Sequence, residues 1–504
     1  MSDRRVIDEG TQADVAMDRL DGAAVRAWAH ASLAGLQRAR ASIDAVNVFP
    51  VADSDTGTNV LLTVTGGVEA VDRVATDAGP DELAAAFARG AMLAARGNSG
   101  VILSQYLAGL ARALGAEPGA DEIAAGLANA ARSARQALAD PQEGTVLTVA
   151  DEVAQGALIA AAARASLPTM LAEVLDDAHR ALATISAEHP VLRRAHVLDA
   201  GACALLVVLG ALARVAAGED DAVPDLDWLP GARAVDEHEV EASAEGGAYE
   251  VMALVRGGPQ DLGSELRSSL GTVGDSVAVV GADGWWHVHV HTDDPEGAIA
   301  LAEVGVREQV VVRLLEGSHG QVSETSGLGL VACTASPALA PWFAAAGAVT
   351  VVRCPEAPVT AEHVTRAITD TGASRVLLLP GDGLGTDQVD ALVRLHGERV
   401  VVLDAHDALR AGVAALAFVA ATEAGPERAA TAALARLRAV EADDVAGLVS
   451  RVAALAGPGE NLTVVHRDPL DDAARAAVEA ARDGLEVTFV GPTGYGTALV
   501  AGLD

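Results

Sequence analysis

Asn47-Val48-Phe49-Pro50-Val51-Ala52-Asp53-Ser54-Asp55-Thr56-Gly57-Thr58-Asn59 runs directly into the helical text VLLTVTGGVEAV. Pro50 and the Asp/Ser/Gly cluster end the preceding helix, and Asp55 or Thr56 is placed to cap the next one. In such a turn Asp53 and Asp55 can point the same way. They then offer two hard oxygen donors where a helix start presents its unpaired N–H groups. That combination suits a Mg²⁺ ion facing phosphate oxygens. Asn59, four residues after Asp55, lies on the same helical face. The spacing alone also fits an ordinary capped turn with solvated acids.

Three more polar inserts interrupt apolar helical text. In Arg96-Gly97-Asn98-Ser99-Gly100-Val-Ile-Leu-Ser104-Gln105, two glycines stand in a helical context. Each costs about 1 kcal/mol relative to alanine there, so each needs a backbone reason. Close approach to a phosphate is one such reason, with Asn98 and Ser99 as donors, and a helix-to-helix turn capped by Asn or Ser is another. Glu143-Gly-Thr145-Val-Leu147-Thr148 and His196-Val-Leu-Asp199-Ala-Gly201 open two further helices.

Around these motifs the text from 14 to 215 is long Ala/Leu-rich helical segments separated by short turns, which predicts a helical bundle over residues 1–217. An acidic, Pro-containing stretch at 218–247 reads as a linker or poorly ordered connection. Residues 248–325 alternate β-branched runs with Gly turns and predict a small α+β domain; 326–504 alternate strand-like and helical runs and predict an α/β domain with a mainly parallel sheet. At roughly 150 residues per domain, 504 residues suit about three. The core is built from Ala, Val and Leu, because apolar residues are 51% of the chain and aromatics only 3%.

A net charge of −35 repels polyanions, which argues against nucleic acid as a partner. There is no lysine: all 35 cations are arginine. Composition bias alone can produce this. It nevertheless excludes the phosphate-binding lysine of a P-loop and the Schiff-base lysine of pyridoxal enzymes. Three scattered cysteines and a charged amino-terminal stretch predict a reducing, cytoplasmic setting. The most apolar stretch, Ala200 to Ala213, contains two glycines and is shorter than a bilayer span, so it is expected to be a buried bundle helix and no transmembrane segment is predicted.

His287, His289 and His291 alternate in WWHVHVHTDD, which places all three on one strand face. They read either as a structural ladder or as a Zn²⁺ site. Spread over roughly 13 Å of strand, three such residues do not converge readily on one ion. Pro380-Gly-Asp-Gly-Leu-Gly385, after the run RVLLL, is a Gly-rich loop at a strand end, but it is neither GxGxxG nor a P-loop.

The order NVFPVADSDTGTN, ARGNSGVILSQ, EGTVLTV, HVLDAGA resembles the ATP-binding L domain (DAK2 domain) of dihydroxyacetone kinases, in the form found in the catalytic subunit of bacterial fatty acid kinase. The resemblance extends through HVHVHTDDP and, more loosely, to the end of the chain. It implies a multidomain protein in which an eight-helix barrel binds ATP at one rim through two Mg²⁺ ions. By that resemblance Asp53 and Asp55 are the catalytic metal-binding aspartates, and Asn47 stands at a third metal position. Thr56, Gly57, Thr58 and Asn59 form the nucleotide turn, Asn98, Ser99 and Gly100 the phosphate loop, and Thr145, Leu147, Asp199 and Gly201 lie near base and ribose. His289 and His291 match family Zn²⁺ ligands, but the cysteine that many relatives carry is missing from Gly247–Met252. The carboxy-terminal domain is implied to dock a fatty-acid-binding protein carrying the acyl substrate, although LEVTFVGPTGYGTALVAGLD departs from the family's more aromatic ending. The expected function is phosphorylation of a fatty acid carboxylate. A non-catalytic nucleotide-binding regulator and a kinase of a small hydroxy-ketone are the alternatives, and a homodimer is compatible with the sequence.

Overall fold

The computed structural model describes residues 17–49, 54–219, 221–230, 247–258, 261–282, 284–315, 327–421, 425–457, 459–482 and 484–504. Asp53 and most of the acidic stretch, 231–246, lie outside the described residues. The chain divides into two compact units, Met1–Ala242 and Ser243–Asp504.

In the first unit the described helices are α1 (Gly22–Ala45), α2 (Thr56–Asp72), α3 (Pro80–Leu93), α4 (Gly97–Ala111), α5 (Ala120–Ala137), α6 (Val146–Ala162), α7 (Leu167–Ser186), α8 (Pro190–Ala195) and α9 (Ala200–Ala217). Each long helix packs on the next, and α9 closes the ring against α1. Eight long helices therefore form a closed barrel, with the one-and-a-half-turn α8 bridging α7 and α9. The starts are chemically specified. Asp21 accepts from the Ala24 N–H, Ser166 from the Thr169 N–H and Asp199 from the Ala202 N–H, and Pro80 opens α3 where no N–H is needed.

The interior is the predicted small-residue core, with few large rings: Trp28 stands edge-on to Phe87 at 5.3 Å and its indole N–H donates to the Val208 carbonyl at 2.9 Å. Small side chains let helices touch. A Cβ on Gly90 would sit 2.3 Å from the Gly66 carbonyl, so α2 and α3 pass at backbone contact. Helix α9 is long and apolar enough to cross a membrane by length and composition, but 72% of it is buried inside the barrel, as expected of a bundle helix.

The connection expected to be a linker departs from that reading over its described part. Residues 221–230 strap onto the barrel: Ala222, Leu226, Trp228 and Leu229 pack on its core, and the Trp228 ring lies 4.5 Å from His179. Pro224 fills the slot left by Gly35 and Gly210. The acidic letters hid an apolar set large enough to offset the cost of ordering.

The second unit comprises β1 (Tyr249–Arg256), α10 (Gly263–Leu270), β2 (Asp275–Ala282), β3 (Trp285–Thr292), α11 (Pro295–Leu301), β4 (Val306–Leu314), β5 (Leu328–Thr334), α12 (Ala340–Ala345), β6 (Ala348–Val352), α13 (Ala361–Asp370), β7 (Arg375–Leu379), α14 (Thr386–His396), β8 (Val400–Val402), α15 (Ala408–Val419), α16 (Pro426–Arg436), β9 (Arg438–Ala442), α17 (Val445–Ala453), β10 (Asn461–His466), α18 (Asp472–Glu479), β11 (Glu486–Val490) and β12 (Leu499–Leu503).

One sheet has the order β2-β3-β1-β4-β6-β5-β7-β8, and a second has β11-β10-β12-β9. The first sheet runs through the expected boundary at 325/326, because β4 pairs antiparallel with β6. Among the described residues, parallel pairing is confined to β6-β5-β7-β8 and to β10-β11, while β12 is antiparallel to both its neighbours. The mainly parallel sheet expected for 326–504 is thus two mixed sheets. Antiparallel β12 and β9 escaped the reading because their short, Gly- or charge-containing text lacks the buried-strand signature.

Candidate functional site

The four polar motifs open α2, α4, α6 and α9, and the fold brings them to one end of the barrel. Asp55 is the N-cap of α2 by position, but its carboxylate makes no capping bond to its own helix. It accepts from the Asn59 side-chain amide at 2.8 Å instead. The sequence expectation of Asp55 as an ordinary cap is corrected here, and the N–H of Thr58 shows why: it donates to the Asp44 carboxylate of α1 at 3.0 Å. Ser54, just before, holds a left-handed backbone with φ of 53°.

Asn47, Thr56 and Ser99 form a chain. The Thr56 hydroxyl donates to Asn47 Oδ1 at 3.0 Å and lies 3.2 Å from Ser99 Oγ. Ser99 is in the first turn of α4, so this chain joins the starts of α2 and α4. Two glycines permit the approach. A Cβ on Gly100 would fall 2.3 Å from Thr63 Oγ1, and Gly97, at φ of +56°, passes so close to Asn59 that a Cβ would lie 2.5 Å from its Nδ2. Arg96, which precedes α4, is buried; its guanidinium donates to the carbonyls of Ala94 and Ala95, and its N–H donates to Thr63 Oγ1. Asn98 Oδ1 is buried with no hydrogen-bond partner. Two helix starts meeting at polar side chains make an electropositive notch suited to an anion.

The other two motifs adjoin the same end. Thr145 caps α6, accepting from the Leu147 N–H at 3.4 Å. Asp199 is buried, and its Oδ1 accepts from the Val146 N–H at 2.8 Å and the Ala202 N–H at 2.7 Å, so one oxygen caps both α6 and α9. Burial pushes this carboxyl up to about 6, against the lowering effect of the two N–H groups. Its carboxylate is therefore committed to positioning the motif that carries Thr145 and Leu147. Val60, Ser99, Tyr106, Val146, Gly201 and Leu205 line one small cavity of about 10 Å³, which has residues of all four motifs or of their helices on its walls. That is room for about one water, so the barrel interior beneath the notch is packed.

Asn47 and Asp55 fit a hard-cation site: a carboxylate that is not capping its helix, and an amide oxygen oriented by a threonine hydroxyl, both of them oxygen donors. Sequence reading missed Asp44 and Arg96. Nothing in ARASIDAV signals that Asp44 will bond across a fourteen-residue gap.

A second cluster lies in the other unit. On one sheet face Glu250 pairs with His291 across β1 and β3, and with Arg313 across β1 and β4. Glu250, His289 and His291 are buried, and one ligand atom of each falls within 4.8 Å of the others. Glu250 Oε1 stands 3.1 Å from His289 Nδ1, but the ring is not oriented to make that hydrogen bond; His289 Nε2 and His291 Nδ1 also lack partners. Burial, with His289 beside it, pushes His291 down to about 3 and keeps it neutral, the form that binds metal. Burial alone would raise Glu250, but Arg313 and His289 hold it well below the usual carboxylate range. The donor set fits a metal ion. Its third member is Glu250, which sequence reading did not select, and His287, opposite Leu254, is not part of it.

The loop Pro380–Gly385 turns inward. Asp382 accepts from the Ala335 N–H at 2.9 Å, from Thr334 Oγ1 at 3.4 Å and from the Tyr495 hydroxyl. Its carboxylate thus occupies the strand ends itself.

Comparison with known proteins agrees with this geometry. Residues 50–214 match the DAK2 domain, and residues 246–320 match the FakA-like middle domain of fatty acid kinases. Protein YloV of Bacillus subtilis (strain 168) is 30% identical over 433 residues, spanning 79% of this chain and 77% of that protein. An uncharacterized protein of Staphylococcus epidermidis (strain ATCC 12228 / FDA PCI 1200) is 29% identical over 395 residues, 71% of this chain and 70% of its own. A crystal structure of the dihydroxyacetone kinase from C. freundii in complex with AMP-PNP and Mg²⁺ is similar at a TM-score of 0.29 and 20% identity, covering 42% of this chain and 38% of that one. The chain belongs to the family of DAK2-domain kinases that carry a FakA-like middle domain.

Proposed function

We propose that this ATP-using phosphotransferase is Mg²⁺-dependent and transfers the γ-phosphoryl group to the carboxylate of a fatty acid presented by a separate fatty-acid-binding protein, giving an acyl phosphate. The observation that carries the reading is the junction of the α2 and α4 starts through Thr56 and Ser99, beside an Asp55 carboxylate that does not cap its own helix.

The chemistry suits a chain without lysine. A carboxylic acid with a pKa of about 4 is ionised at neutral pH, so the acceptor needs no general base. What remains is to bring two anions together, a matter of positioning and charge. Bound Mg²⁺ supplies charge neutralisation at the β- and γ-phosphates. Asp55, with Asn47 and Asp53, would hold it. The first-turn N–H groups of α4, among them those of Asn98, Ser99 and Gly100, would stabilise charge on the transferring group. Thr145 and Leu147, fixed by Asp199, would bound the base and ribose.

The test is a mass-spectrometric search for acyl phosphate, trapped as the hydroxamate, after mixing the chain, ATP, Mg²⁺ and an acyl-loaded binding protein. Product that requires all four components is expected. Tight ATP binding with no transfer to any lipid would instead make the chain a nucleotide-dependent regulator.

We further propose Zn²⁺ as the ion at Glu250, His289 and His291. Elemental analysis of the purified protein should find about one Zn²⁺ per chain, lost in His291→Ala. Stripping the metal should lower the melting temperature of the second unit by several degrees, since a ligand at 1,000 times its Kd stabilises by about 4 kcal/mol. ATP affinity should not change. Metal-free protein with an unaltered melting temperature would leave the cluster as a buried ion network.

A further inference from the structure

The start of α2 is capped from outside its own helix. An N-cap aspartate ordinarily turns its carboxylate back onto the N–H groups two and three residues ahead. Asp55 holds that position and makes no such bond. The duty falls to Asp44, in the last turn of α1. Its Oδ1 accepts the Thr58 N–H at 3.0 Å and its Oδ2 accepts the Thr58 hydroxyl at 2.9 Å. Arg40, one turn earlier on α1, donates to the same hydroxyl at 3.3 Å and stands 3.9 Å from Asp44 Oδ2. The two helices are pressed together here. A Cβ on Gly57 would lie 2.5 Å from the Arg40 carbonyl and 2.9 Å from Asp44 Oδ1, so only glycine passes. Asp44 is largely buried, with 15% of its side chain exposed.

From this geometry we infer that Asp44 is a positioning residue for the cation site: by capping α2 in place of Asp55, it keeps the Asp55 carboxylate turned away from its own helix. Asp55 then holds the orientation in which it accepts from Asn59 Nδ2 at 2.8 Å. Remove Asp44, and the Thr58 N–H is left seeking an acceptor one turn from Asp55, the residue that ordinarily supplies it. A cap worth about 1 kcal/mol then competes with the cation for one carboxylate. That competition weakens cation binding by about five- to tenfold.

The inference rests on the reading of this turn as a Mg²⁺·nucleotide site, and the experiment separates the two. Mn²⁺ binding in the presence of AMP-PNP is titrated by electron paramagnetic resonance on the full chain, for wild type, Asp44→Ala and Asp44→Asn, with circular dichroism melts alongside. The alanine protein should bind Mn²⁺ about five- to tenfold more weakly. Its Mg²⁺ concentration for half-maximal turnover should rise by the same factor, while kcat at saturating Mg²⁺ stays near wild type. Asparagine retains an oxygen for the Thr58 N–H and should recover most of the affinity. Asp44→Ser is too short to reach Thr58 and gives the same reading should the alanine protein not fold. A folded alanine or serine variant with wild-type Mn²⁺ affinity overturns the inference and leaves Asp44 as a helix cap alone. Wild type that binds no Mn²⁺·AMP-PNP overturns the reading of the site itself, and the inference with it.

Discussion

Asp55→Ala is expected to lower phosphoryl transfer by about a thousandfold or more while leaving the protein folded. The loss follows from removing a carboxylate that holds the charge-neutralising ion; a missing electrostatic contact of this kind costs about 3–4 kcal/mol in the transition state. The fold should survive because Asp55 is not the cap of α2: Asp44 is. What the barrel loses is the hydrogen bond from Asn59, worth about 1 kcal/mol, or about 2–4 °C in melting temperature for a unit of this size. Activity assays paired with thermal melts check both halves. A protein that unfolds, or one that keeps Mg²⁺-dependent turnover, would reduce Asp55 to a structural residue.

Asp199→Asn is expected to change the pH dependence of stability. Burial raises the carboxyl from 3.8 in the unfolded chain to about 6 in the folded one. The folded state therefore holds the proton more tightly, and between about pH 4 and pH 6 it binds more protons than the unfolded state. Stability contributed by this group is present below pH 4 and is lost as pH rises to about 6; above that the cost is constant. A shift of about two units corresponds to about 3 kcal/mol. Asparagine retains an oxygen for the Val146 and Ala202 N–H groups without a buried charge. The variant should thus be more stable than wild type at pH 8, by up to about 3 kcal/mol, and should lack the decline between pH 4 and pH 6. Urea unfolding across that range, followed by far-ultraviolet circular dichroism, measures it. Equal slopes in the two proteins would mean that Asp199 is not protonated on burial.

How much of this could be read beforehand depended on whether a residue's partner lay near it in sequence. The barrel was legible because eight runs of helical period are separated by Pro, Gly and capping residues, and those signals are local. Gly97 and Gly100 announced a backbone constraint, and the structure supplies it in Asn59 and Thr63. Asn47, Thr56 and Ser99 were each selected, but their connection was not visible, since it depends on two helices meeting. Asp44 was missed because capping across helices leaves no pattern. Glu250 was missed for the same reason: it faces His291 only through strand register, and a carboxylate in a β-branched run reads as an exposed strand residue. The boundary at 325/326 marked a change in strand patterning that the sheet does not follow, because β4 finds its neighbour in β6. Residues 221–230 looked solvated because of their acids and prolines, yet Leu226, Trp228 and Leu229 decide where the segment lies.

The most direct test is a crystal of the chain grown with AMP-PNP and Mn²⁺, examined at the manganese absorption edge. An anomalous peak bonded to Asp55, with the triphosphate against the first turn of α4 at Ser99 and Gly100, is the predicted result. Nucleotide bound elsewhere, or bound here with no metal at Asp55, would contradict the account.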